Sequence, residues 1–254
     1  MYYLFIILFI IIIIFIIKNK NNKTIESFET IPKIIIQTWK DNNIPKRYEK
    51  LILSLKKHNP NYKYMFFSDN DIEEFLKTHY PKYYETFLKL PVIIQKIDFF
   101  RYIAIYHYGG FYFDLDIECY KNFDDLLNYE CIFGIDTYIN KYLMCNIERF
   151  KYFCKNPYLV GQYAFGAKPK NAFIKLLIDN IHNNIDIIGE KYYKLNDKKN
   201  LNYVYDTTGP DYVSKIYYNY NYSDKITILD NGKKQYFGDY ARHKFMGTWK
   251  KRLY

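Results

Sequence analysis

The four cysteines, Cys119, Cys131, Cys145 and Cys154, form no C-x-x-C pair and no zinc-finger spacing. Structural zinc modules are therefore excluded. One or two disulfides in an oxidising lumen and four buried thiols both remain open. The chain also has no basic helix and no nucleic-acid-binding motif, although its formal net charge is +10. The densest basic groups are Lys18/Lys20/Lys23, Lys198/Lys199 and Lys250/Lys251/Arg252. Such scattered lysines describe a solvated surface, and nucleic acid is not an expected partner. Internal repeats are absent. Gly and Ala are sparse beside Tyr, Ile, Lys and Asn, a bias that reflects AT-rich coding more than chemistry. Disorder is excluded in turn, because 49% of the residues are hydrophobic and 21% aromatic.

What is present divides the 254 residues into three parts. Residues 1–17 are almost wholly apolar and show no polar face. At about 1.5 Å per residue such a helix just reaches across a hydrocarbon core of about 30 Å. No A-x-A-like cleavage site follows, so the segment reads as one N-terminal transmembrane anchor. Lys18, Lys20 and Lys23 after the span favour a cytosolic domain by the positive-inside rule. The sequons at Asn22 and Asn221 fit a lumenal one, and the orientation stays open. Residues 18–30 are a polar stalk, and residues 31–254 are long enough for one domain with a core and a cleft.

Within that domain, Lys33–Trp39 reads as a buried strand. Pro45 opens a helix carrying Leu51, Ile52 and Leu55, which Asn59-Pro60 breaks. Tyr62–Phe67 is a second strand. A helix follows from Asp71, with Asn70 or Asp71 as its N-cap. A longer helix runs from Pro91 to Gly109-Gly110, and Phe111–Cys119 is a strand interrupted by acids. Cys131–Ile135, Tyr158–Ala167 and Lys225–Leu229 are further strands; Ala172–Ile181 and the segment from Gly209-Pro210 are helices. Strands alternating with helices predict an α/β domain with a mostly parallel central sheet, whose ligand sits beyond the carboxyl ends of the strands.

The stretch from Ile97 to Cys119 carries the chemistry. Alternation along a strand would put the carboxylates of Asp114 and Asp116 on one side. Two acids sharing a face need a cation, and a hard divalent ion takes oxygen ligands while also binding substrate phosphates. An Asp-rich surface turn is the plain alternative. Gly109-Gly110 upstream permits a tight turn and close backbone approach. Asp98 and Arg101 share a helix face, with Arg suited to phosphate or carboxylate and Asp to sugar hydroxyls. As an exposed ion pair they would contribute only a few tenths of a kcal/mol, roughly.

The string Asp98-x-x-Arg101-Tyr102, Gly109-Gly110-x-Tyr112-x-Asp114-x-Asp116 closely resembles the D-x-D sugar-transferase family. That family includes fungal α-1,6-mannosyltransferases and inositol-phosphoceramide mannosyltransferases. Ile31 to Trp39 resembles its opening strand, Thr208-Gly209-Pro210 its T-G-P element, and His243 with Gly247-Thr248-Trp249 its closing element, with Thr248 in place of the usual Ser. Gly161–Asn171 matches the family's Asn-containing strand only loosely.

The resemblance implies a nucleotide-sugar-binding domain of the GT-A type and a retaining, metal-dependent hexosyltransferase. It implies Asp116, His243 and Asp114 at the metal, Mn2+ in preference to Mg2+ because imidazole suits manganese better. It implies Trp39 at the base with Gln37 and Thr38 nearby, Asp98 and Arg101 on the sugar, Gly109, Gly110 and Asp114 beside the donor, and Thr248 and Trp249 on the phosphates. Asp98, Arg101, Asp114 and Asp116 are the expected catalytic set. The implied partners are a nucleotide-sugar donor, GDP-mannose by analogy, and a glycan or glycolipid acceptor in an ER- or Golgi-type membrane. A non-catalytic tethered relative and a metal-dependent nucleotide-sugar hydrolase are the competing readings.

Overall fold

The structure, a computed structural model, describes residues 30–198, 200–221 and 223–247. The apolar run 1–17 and nearly all of the stalk lie outside these residues. Among the described residues no helix is long and apolar enough to cross a membrane.

The first half is a β-α-β arrangement. Strand β1 (Ile34–Thr38) leads through helix α1 (Glu49–His58) to β2 (Lys63–Phe67), which pairs parallel to it with Ile34 opposite Lys63. Leu51 and Leu55 are buried one turn apart on α1, as an amphipathic period requires. Helix α2 (Asp69–His79) starts two residues earlier than the sequence suggested. Its N-cap is Ser68, whose hydroxyl accepts from the Asp71 amide at 3.2 Å while Asp71 Oδ2 accepts from the Ser68 amide at 2.8 Å. Asp71 thus sits at the third helical position of a capping box, not at the cap. Helices α3 (Pro81–Lys89) and α4 (Ile93–Tyr108) complete the crossover.

Helix α4 is apolar on nearly every face. Phe99, Phe100, Tyr102, Ile103, Ala104 and Ile105 are fully buried, which marks a core helix sandwiched between layers. It ends at Gly109 (φ 66°) and Gly110 (φ 86°). A Cβ on Gly110 would meet the Ile34 carbonyl oxygen at 2.6 Å, so the turn admits only glycine.

Strand β3 (Gly110–Phe113) then lies parallel to β1, and β4 (Ile117–Cys119) is a separate strand. The single strand expected over Phe111–Cys119 is therefore two, and Asp114-Leu115-Asp116 forms the turn between them. The remaining elements are β5 (Cys131–Tyr138), α5 (Lys141–Met144), β6 (Tyr158–Ala167), α6 (Ala172–Asn183), α7 (Ile185–Tyr193), α8 (Leu201–Thr207), α9 (Pro210–Tyr218), β7 (Ile226–Leu229), β8 (Tyr236–Phe237) and β9 (Ala241–His243).

The sheet order is β2-β1-β3-β6-β5-β8-β9-β4, with β7 on β5. It is mixed, which corrects the mostly parallel expectation. β6 runs antiparallel to both β3 and β5. The reason lies in residues 139–157. That stretch contains only the short α5 and 3-10 turns, too little for the crossover a parallel neighbour needs, so β6 returns beside β5. Four helices between β6 and β7 do supply a crossover, and β7 is parallel to β5. Cys145 and Cys154 are joined by a disulfide that clips this excursion, with Cα atoms 5.6 Å apart, while Cys119 and Cys131 are buried thiols.

Candidate active site

The carboxyl ends of β1 and β3, the middle of β6 and the β8–β9 segment enclose a cleft of about 380 Å³. Its floor is a chain of buried charges. Asp98 and Arg101, one turn apart on α4, are 1% and 3% exposed, which rules out the surface ion pair. Arg101 Nη2 lies 3.1 Å from Asp98 Oδ1, and Nη1 lies 3.4 Å from Asp114 Oδ1. Nη1 also donates to the Gln162 carbonyl at 3.2 Å, and the guanidinium sits 4.6 Å from the Tyr112 ring centre. Thr208 Oγ1 donates to Asp98 Oδ2. Burial pushes the Asp98 carboxyl up to about 6 against the pull of Arg101. Arg101 Nε is buried and has no hydrogen-bond partner among the described residues.

The Asp114–Asp116 turn stands over this floor. Tyr112 donates its hydroxyl to Asp114 Oδ1 at 3.1 Å, and Gln37 Nε2 donates to the Asp114 carbonyl at 3.1 Å. Antiparallel pairing of β4 with β9 sets Ile117 opposite His243, which brings His243 Nε2 to 3.0 Å from Asp116 Oδ1. The Met246 amide donates to Asp116 Oδ2 at 2.9 Å. One ligand atom each from Asp114, Asp116 and His243 falls within 4.8 Å of the others. Two carboxylates and an imidazole are a donor set that fits a divalent cation. The geometry of the turn, not strand alternation, is what gathers the two acids.

Electrostatics separate the pair. Burial raises the Asp114 carboxyl, and Arg101 only partly offsets it. Burial acts on Asp116 in the same direction, but the His243 contact and the Met246 amide prevail and hold it below the usual carboxylate range. Burial would lower His243; its hydrogen bond and charge contact with Asp116 overcome that and raise it. His243 is further held by face-to-face stacking on Tyr163, centroids 4.8 Å apart and planes within 6°.

The structure brings Thr38, Trp39, Asp98, Arg101, Asp114, Asp116 and His243 to the one cleft. Trp39 borders it against Tyr48, with ring centres 5.2 Å apart. Gln37 stands behind the cleft instead of lining it. It is fully buried, with Nε2 on Asp114 and Oε1 accepting from Tyr64 at 2.9 Å. Gly109 and Gly110 are not beside the cleft either. They open β3 at its far end, roughly 13 Å along an extended strand from Asp114, and serve the helix-to-strand turn. Thr248 and Trp249 lie outside the described residues.

Sequence reasoning missed Asp136, Arg149, Gln162, Tyr205 and Gln235, all of which line the cleft. Only Asp136 carried a legible signal, as the one acid in the otherwise apolar and polar-neutral run of β5. Arg149 is reached through its bidentate pair with Asp211, at 2.8 and 2.6 Å.

Known proteins resemble this chain in sequence and in fold. Residues 45–133 match the family described as glycosyltransferase sugar-binding region containing DXD motif. The inositol phosphoceramide mannosyltransferase 3 of Schizosaccharomyces pombe is 33% identical over 151 residues, 54% of this chain and 42% of that one. The initiation-specific α-1,6-mannosyltransferase of Candida albicans is 34% identical over 104 residues, 38% of this chain and 27% of that one. The chain thus spans less than half the length of these relatives. A solved structure titled PaToxG glycosyltransferase superposes with a TM-score of 0.50 at 19% identity, covering 75% of this chain and 70% of that one, a likeness of fold alone. The fold is thus a glycosyltransferase-like α/β fold of the GT-A kind with a mixed sheet. In sequence the chain thus matches the glycosyltransferase sugar-binding region containing DXD motif over residues 45–133, and its curated relatives include fungal inositol phosphoceramide mannosyltransferases and an α-1,6-mannosyltransferase.

Proposed function

We propose that this protein is a retaining glycosyltransferase that moves a hexose, mannose from GDP-mannose as the best reading, from a nucleotide sugar to a glycan or glycolipid acceptor. The observation that carries the proposal is the continuity of two groups in one cleft: the buried Asp98–Arg101–Asp114 chain and the Asp114–Asp116–His243 cluster share Asp114. A sugar diphosphate needs both, hydroxyl and phosphate grips beside a cation site. The mannosyl donor rests on the likeness to mannosyltransferases.

Asp114, Asp116 and His243 would hold the cation, which supplies Lewis-acid neutralisation of the departing diphosphate. Asp98 accepts from sugar hydroxyls and Arg101 fixes Asp98 and Asp114, so the anomeric carbon is aligned by side chains that are already immobilised. Trp39 borders the base, Thr38 is locked to the Tyr112 hydroxyl at 3.1 Å, and Thr248 and Trp249 are assigned to the phosphates. Retention of anomeric configuration follows from the family likeness.

The domain would be tethered to an ER- or Golgi-type membrane by the apolar run 1–17. The Cys145–Cys154 disulfide supports a lumenal domain, since such bonds persist in oxidising compartments.

The test is nucleotide release by the full chain in detergent from a panel of UDP- and GDP-sugars with Mn2+, beside an Asp116→Asn variant and a chelator. Release from one donor that both controls abolish supports the transferase and names its sugar. Free sugar released even when acceptor is present selects the hydrolase reading. Neither turnover nor donor binding by a folded protein selects the non-catalytic one.

A further inference from the structure

Gln235 and Asp136 lie outside every motif discussed so far, yet they converge on His243. Gln235 is 6% exposed and precedes β8 with a left-handed backbone, φ 65°. A non-glycine residue there is held by its surroundings, and here both ends of its amide are engaged. Nε2 lies 2.8 Å from the Asp136 main-chain oxygen and 2.8 Å from Asp136 Oδ1. Oε1 lies 2.7 Å from His243 Nδ1. The main chains are joined as well, the His243 amide donating to the Gln235 carbonyl at 3.0 Å.

The amide cannot be turned over. A main-chain carbonyl only accepts, so the group facing the Asp136 oxygen must be the NH2, which leaves Oε1 facing the imidazole. Oε1 also only accepts, so Nδ1 must carry a hydrogen. With Nδ1 so occupied, Nε2 is the nitrogen left to face Asp116 Oδ1, where a cation would take the place of its hydrogen.

Resting on the cation site proposed above, we infer that Gln235, oriented by Asp136, is a positioning residue that fixes His243 in the Nδ1–H tautomer and keeps Nε2 available as a metal ligand. A histidine ligand whose second nitrogen donates to a fixed acceptor is held in one tautomer and one ring orientation, and loss of such an acceptor weakens metal binding about 10–100-fold. Stacking on Tyr163 restricts the ring's tilt, whereas the Gln235 contact holds Nδ1 away from Asp116 and so turns Nε2 towards it.

Two measurements on the full chain in detergent test the inference. The first is NMR of 15N-histidine-labelled protein loaded with Zn2+ as a diamagnetic stand-in for Mn2+, with the His243 signals identified by their loss in His243→Asn. A single Nδ1–H tautomer is expected; an Nε2–H tautomer overturns the inference without need of any Gln235 variant. The second is Mn2+ binding followed by electron paramagnetic resonance, alone and with GDP or UDP, for wild type, His243→Asn and Gln235→Leu. Gln235→Leu should bind Mn2+ about 10–100-fold more weakly and show mixed His243 tautomers. Binding lost in His243→Asn but intact in Gln235→Leu overturns the positioning role alone. Absence of Mn2+ binding by the wild type, or its persistence in His243→Asn, overturns the cation-site reading and this inference with it.

Discussion

Thr208 donates its hydroxyl to Asp98 at 2.8 Å, across 110 residues of sequence. The Thr-Gly-Pro element and the Asp-x-x-Arg element are therefore parts of one buried network, and Gly209 and Pro210 continue from it along the cleft wall. Thr208→Ala removes the hydroxyl that donates to Asp98 Oδ2. It should destabilise the fold by about 1–3 kcal/mol and raise the KM for the donor, measured by thermal unfolding and donor titration.

The two ends of the buried ion pair should respond unequally. Arg101→Ala leaves Asp98 and Asp114 without a counter-charge and should cost about 3–5 kcal/mol in chemical denaturation. Asp98→Asn keeps the shape without the charge, so it should cost less stability than Arg101→Ala while still abolishing most donor turnover. Equal losses in the two variants would mean that the pair is not coupled as the distances imply.

Asp98 also gives a signed pH dependence. Its carboxyl is raised from 3.8 to about 6 by burial. A folded value above the unfolded one gives stability that is full below the unfolded pKa and is lost as pH rises through the folded one. Relative to Asp98→Asn, the wild type should lose stability between about pH 4 and pH 6. A difference that grows in the opposite direction would contradict the burial of this group.

His243 is raised by its contact with Asp116, and its proton must leave before Nε2 can ligate. Mn2+ affinity should therefore increase with pH across the neutral range with release of about one proton, and His243→Asn should flatten that dependence. Calorimetry in buffers of different ionisation enthalpy measures the proton count.

Trp39 and Trp249 are the two tryptophans of the chain. Nucleotide binding should change the Trp39 fluorescence, and Trp39→Phe should remove most of that change while raising donor KM several-fold. An unchanged signal in Trp39→Phe would move the base away from β1.

Much of this architecture could be read from the sequence because its signals are local. The β-branched run of β1, the breaker at Asn59-Pro60 and the glycine pair after α4 act over a few residues, and each element ended within about a residue of where it was expected. The D-x-D motif and Asp98-x-x-Arg101 were legible as spacing, though the acids meet in a turn and not along a strand. Sheet polarity was not legible, because it depends on whether residues 139–157 can span a crossover. Gln162 and Gln235 were hidden for a related reason. Gln162 meets Arg101 where α4 packs on β6, Gln235 meets His243 through the pairing of β8 with β9, and no short-range pattern encodes either. The cap was expected at Asn70 or Asp71 and is Ser68, because both ends of a capping box look alike in one dimension.

The antiparallel course of β6 decides how the cleft tolerates change. A parallel strand would offer the site only its tip and the loop beyond, which can drift in length and composition. β6 instead presents its interior: Tyr112 faces Phe165 on one side, Ile135 faces Val160 on the other, and the Asp114 amide is tied to the Tyr163 carbonyl at 2.8 Å. Gln162 thus belongs to woven fabric and not to its fringe. Insertions there would shift the register of two neighbours at once, whereas the disulfide-clipped excursion that carries Arg149 can lengthen freely. Variation in what such a protein accepts is therefore expected to collect on the Arg149 side, with the Arg101 side kept constant.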